Sequence, residues 1–107
     1  MKSRDGLLIS NRDVLVLDTR KLVNQINKTW SAICVNASKL RAVPEEERDC
    51  LFWARCSCWR HTVWQFQDCI RFIRDARMID SAKFDDMNNQ IEELVRDVER
   101  GDADAQI

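Results

Sequence analysis

Tyrosine is absent, histidine and proline occur once each, and glycine occurs twice in 107 residues. A single His and no Tyr leave little acid–base chemistry for catalysis. An all-β domain needs many turns rich in Gly and Pro, so their scarcity argues for long helices. No apolar run approaches the roughly 18 residues of a membrane span, and the opening residues lack a secretory-signal pattern. The expectation is a cytoplasmic protein with no membrane contact. Neither a phosphate-binding loop, a dinucleotide fingerprint nor a His-Glu-x-x-His pair is present, so no cofactor, no metal and no enzyme are expected.

What is present suits one folded domain. Leu, Ile, Val and Phe make up about a quarter of the chain, too many for an intrinsically disordered protein. Five cysteines cannot all pair within one chain; reduced thiols acting as small apolar residues are the simpler reading. In that compartment the sequons at Asn27 and Asn36 have no route to glycosylation.

The net charge of −1 hides an asymmetry. Residues 1–43 hold eight Lys and Arg against three Asp, whereas residues 80–107 hold three against nine Asp and Glu. Two neighbouring helices of opposite charge would explain this.

Apolar spacing places the helices. Ser10 with Asp13 resembles a capping box and predicts a first helix over about 11–42, with Leu15, Leu22, Ile26, Ile33, Ala37 and Leu40 on one face. A competing start at Asp18-Thr19 would leave Leu7–Ile9 and Val14–Leu17 as a small hairpin. Pro44 before Glu45, Glu46 and Glu47 predicts a second helix over about 44–78. Its seam is Phe52, Cys56, Trp59, Val63, Phe66, Ile70 and Ile73, a heptad-like spacing suited to shallow helix crossings. Asp80-Ser81 caps a third helix over about 81–100, with Phe84, Met87, Ile91, Leu94 and Val98 inward and Gly101 at its end.

The expected fold is therefore all-α, an antiparallel three-helix bundle over 11–101. A segment of residues 1–10 precedes it, and a frayed acidic tail, 102–107, follows. Helices of such unequal length would leave the first half of helix two uncovered.

A second stripe on helix two carries the functional expectation. Trp53, Ser57, Arg60, Trp64, Gln67 and Arg71 recur at steps of four and three, about 100° from the seam. Exposed Trp and Arg are the residue types most enriched in interface hot spots. The same residues could instead finish the core, with Arg stems lying over the rings.

Cys58 and His61 lie three apart and could face one another, but two ligands do not make a structural metal site. Nothing in the sequence equips them as nucleophile and base. The thiols at 50, 58 and 69 read more simply as a second packing face with Leu51, Ala54 and Phe72.

Lys21, Lys28 and Lys39 line the polar side of helix one, flanked by Arg20 and Arg41. That is little charge for a phosphate-binding face, and a net acidic segment follows. The reading is a non-enzymatic protein-binding module — inhibitor, adaptor or chaperone-like — acting through the Trp/Arg stripe on an unidentified protein. The alternative is a small nucleic-acid-associated regulator using the basic side of helix one. A homodimer is expected through Cys50, Leu51, Trp53 and Ala54, with Arg60 reaching the partner's Glu45–Asp49 stretch.

Overall fold

A computed structural model describes residues 7–15 and 20–100. Three helices, α1 (Arg20–Arg41), α2 (Cys50–Asp75) and α3 (Ser81–Arg100), contact one another as a three-helix bundle. Among the described residues there is no strand beyond one isolated bridge, Val14 to Ile79. No described helix is long and apolar enough to cross a membrane. The expected acidic tail lies outside the described residues, as do Val16, Leu17, Asp18 and Thr19.

The apolar seams form one core. All seven seam residues of α2 and all five inward residues of α3 are buried. They meet Val23, Ile26, Trp30, Ile33, Cys34, Ala37 and Leu40 of α1. Trp30 stacks on Phe66 with centroids 6.2 Å apart, and the buried Trp59 indole N–H donates to the Ile33 carbonyl at 3.1 Å. An indole buried without that acceptor would incur a desolvation penalty.

Helix boundaries differ from the sequence expectation in three places. First, Asn11–Asp13 is one 3-10 turn rather than the start of α1. The Asp13 carboxylate accepts from the Ser10 amide at 2.8 Å and closes the turn on itself. Val14 then runs extended, and the Leu15 amide donates to the Met78 carbonyl at 2.7 Å. Leu15 is consequently exposed instead of lying on the α1 face. Among the described residues Val14 bridges to Ile79, not to the Leu7–Ile9 stretch that the hairpin alternative would pair with it.

Second, Pro44 leads only into a 3-10 turn, Glu45–Glu47, and α2 begins six residues later than expected. Asp49 is the better cap: its carboxylate accepts from the Phe52 amide at 3.0 Å. Arg48 fixes the link by donating to the Val43 carbonyl and lying over the Phe52 ring at 4.6 Å.

Third, α2 ends at Asp75, with the Arg77 and Met78 amides donating back to the Arg74 and Ile73 carbonyls. This closure requires a left-handed residue, and Arg77 supplies it at φ 61°. Glycine adopts that conformation without the Cβ penalty. Arg77→Gly is therefore expected to raise the urea unfolding free energy by about 0.5–1 kcal/mol. A decrease would mean that the Arg77 side chain contributes contacts outweighing its backbone strain.

These boundaries also correct the length mismatch. With 22 and 26 residues, α1 and α2 span about 33 and 39 Å against about 30 Å for α3. Arg60 of α2 meets Glu99, one residue from the end of α3, at 3.0 Å. Residues 50–59 of α2, ten of its 26, extend past that contact, somewhat less than the uncovered first half expected from the sequence.

The described residues before α1 contribute to the core, whereas the sequence expectation sets residues 1–10 apart from the bundle. Leu8 and Ile9 are each 1% exposed. The Asn27 side chain holds their backbone: its Oδ1 accepts from both amides, at 2.9 and 3.1 Å, and its Nδ2 donates to the Ile9 carbonyl at 2.8 Å. Lys83 lies 3.5 Å from Asp13 and ties the same segment to α3. Burial pushes the Asp13 carboxyl up, but the Ser10 amide and the Lys83 charge outweigh it and hold its pKa below the usual value.

Candidate functional site

The seam of α2 turns inward, and the flank beside it that faces α3 carries the Trp/Arg stripe. Trp53 and Trp64 are 49% and 52% exposed, Ser57 is exposed, and Arg60 is half-buried. All four line one hollow of about 210 Å³ with Cys56, His61, Val98 and Glu99. Arg60 bonds Glu99 across the hollow, and its guanidinium carbon lies 5.6 Å from the Trp64 ring centroid. The His61 ring meets Trp64 edge-on at 5.6 Å. The outcome is two indoles flanking a small depression, with one ion pair among its lining.

Gln67 and Arg71, the remaining stripe residues, are engaged elsewhere. The Gln67 amide donates to Asn88 Oδ1 at 3.0 Å, and Arg71 pairs with Asp68 at 2.8 Å. Neither lines the hollow. His61, Val98 and Glu99 do line it and were not anticipated. A negative charge on α3 was a visible complement to Arg60, but only the crossing of the two helices selects Glu99.

The dimer candidates Cys50, Leu51, Trp53 and Ala54 are all exposed on the first turns of α2. Arg60, expected to reach a partner chain, is held within its own chain by Glu99. That pair is nearly half exposed on both sides, so it contributes no more than about 1 kcal/mol.

The cysteines divide differently from the expected packing face. Cys34 and Cys56 are buried, whereas Cys50, Cys58 and Cys69 are exposed along with Leu51, Ala54 and Phe72. No disulfide joins any of the five. Burial pushes the Cys56 thiol up; Arg48 and Arg60 oppose this, and Glu99 reinforces it. Cys56 therefore stays protonated and is a poor nucleophile near neutral pH. Among the described residues, no group of three or more His, Cys, Asp or Glu is placed to hold a metal ion.

On α1, Arg20, Lys21, Lys28 and Lys39 are exposed and Arg41 is half-buried, and the helix contains no Asp or Glu. Compared with protein-family models, curated proteins and solved structures, the chain has no match in any of the three.

Proposed function

We propose that this chain is a non-enzymatic protein-binding module of the inhibitor, adaptor or chaperone-like kind. One observation carries the reading: Trp53 and Trp64 remain half exposed around a shared hollow although the α2 seam is already buried. Two indoles left in water are unfavourable for an isolated molecule and favourable for one that covers them with a partner. The partner would insert an apolar side chain between the rings, with Arg60, Glu99 and Ser57 as its polar rim. Occlusion of the partner's own site, or bridging of two partners, would follow.

An antiparallel arrangement of the three helices accompanies this reading. Arg60 with Glu99, Gln67 with Asn88 and Arg74 over Phe84 support opposite directions for α2 and α3. Trp59 with Ile33 and Trp30 with Phe66 support the same for α1 and α2. A cytoplasmic setting is favoured by five cysteines without a disulfide.

A homodimer pairs the exposed first turns of α2 about a two-fold axis, through Cys50, Leu51, Trp53 and Ala54. Light scattering is expected to report about twice the 12.6 kDa chain mass, and Trp53→Glu to halve it. A folded monomer at micromolar concentration would remove the dimer and leave the patch to a different partner.

The binding reading is tested by affinity capture from cell extract with mass-spectrometric identification. One protein retained by the wild type, lost with Trp64→Ala and kept with Lys28→Ala, supports it. Retention of nucleic acid that disappears with Lys28→Ala and at moderate salt would transfer the function to α1.

A further inference from the structure

A second surface lies on the opposite flank of α2, between it and α1. Two open hollows of about 470 and 380 Å³ run end to end there, and Thr29 and Thr62 line both. Their floor is the outer edge of the core, with Ile33, Phe52 and Trp59 at one end and Ile26, Phe66 and Ile70 at the other. No described residue of α3 or of the segment before α1 lines either hollow. From Leu22 to Leu40 the groove follows α1 for about 27 Å, the length of an 18-residue helix. Small side chains at mid-groove, Ala32 and Cys58 among them, let another backbone approach closely.

Charge chooses the occupant. Lys39 of α1 and Arg55 of α2 line the hollow at the Phe52 end, and no carboxylate lines either hollow. Neither cation has an ion pair among the described residues. The wall contributed by α1 comes from a helix with five Lys and Arg and no acid at all.

We propose that this groove takes an amphipathic α-helix of another protein, apolar towards the floor and carrying carboxylates where it meets Lys39 and Arg55. The mode is a helix laid in a hydrophobic groove, with affinity from the apolar floor and orientation from the charged end. Arg55 and Trp53 lie about 200° apart around α2, so the groove and the Trp hollow can be occupied together. The groove would give a bridging protein its second contact, and it does not rest on the Trp stripe.

The test uses two labelled synthetic peptides of about 20 residues, each with leucine along one helical face and either glutamate or lysine elsewhere. Fluorescence anisotropy with the full chain is expected to show the glutamate peptide binding about tenfold more tightly. Reversing both cations, Lys39→Glu with Arg55→Glu, should invert that order. Thr62→Trp, which fills the middle of the groove, should weaken both peptides, and Trp64→Ala should change neither. Circular dichroism checks that each exposed-site variant keeps its helical content. Equal affinity for the two peptides, a preference that survives charge reversal, or loss with Trp64→Ala would overturn the proposal. So would displacement of the glutamate peptide by duplex DNA, or a doubled chain mass that Arg55→Glu abolishes, which would make the occupant a second copy.

Discussion

Replacing Asn27 by Leu is expected to lower the unfolding free energy by about 3 kcal/mol, a large part of the stability of a domain this size. The side chain closes three hydrogen bonds to the backbone of Leu8 and Ile9, both almost wholly buried. Without it, two amides and one carbonyl must stay unpaired or the segment must leave the core. Unpaired groups cost about 1–3 kcal/mol each. Leaving exposes two large aliphatic side chains, at about 1.5–3 kcal/mol each. The cheaper route sets the loss, and either route is severe. Asn27→Asp keeps the acceptor for both amides but loses the donor to Ile9, so it should fall between wild type and Asn27→Leu. Urea melts give the free energies, and hydrogen exchange at the Leu8 and Ile9 amides locates the effect. A loss under about 0.5 kcal/mol with those amides still protected would mean that the segment does not depend on Asn27.

Trp30→Ala is expected to be the most damaging single truncation, at about 3–5 kcal/mol. Trp30 is 2% exposed and stacks on Phe66 across the α1–α2 contact. Removing an indole from a close-packed interior leaves a cavity that neighbours on rigid helices fill only in part. The loss should appear as a lower urea midpoint, with helical circular dichroism retained at zero denaturant. A cost near 1 kcal/mol would mean that the core collapses freely around position 30, which is incompatible with the packing described.

Legibility in the sequence followed the kind of interaction involved. Periodic burial was legible: the seams of α2 and α3 are the residues their spacing marked, because a helix repeats its inward face every three to four residues. Interactions without a period were not. The bonds from Asn27 to Leu8 and Ile9 span 19 and 18 residues and leave no pattern, so Asn27 read only as part of a sequon. Helix starts failed where two caps competed. Ser10 with Asp13 has the chemistry of a capping box, yet the pairing of Val14 and Leu15 with Met78 and Ile79 keeps the chain extended. Pro44 with three glutamates has the chemistry of a first turn, yet Asp49 supplies the cap actually used.

The site shows the same division. Trp53, Ser57, Arg60 and Trp64 were visible as a stripe and do share one hollow. A helical wheel cannot know where α3 crosses, so it extended the stripe to Gln67 and Arg71 and omitted Val98 and Glu99. The thiols at 50, 58 and 69 looked like core by residue type alone, and the crossing of α1 leaves them outside.

The proposed binding surface requires Trp53 and Trp64 to be dispensable to the fold. The direct measurement is the urea unfolding free energy of Trp53→Ala and Trp64→Ala beside Trp30→Ala, in purified protein dilute enough to be monomeric. Each exposed-site variant should lose no more than about 1 kcal/mol, against the 3–5 kcal/mol expected at position 30. Losses at positions 53 and 64 as large as that at position 30 would show that both indoles are structural, and would contradict the proposed binding surface.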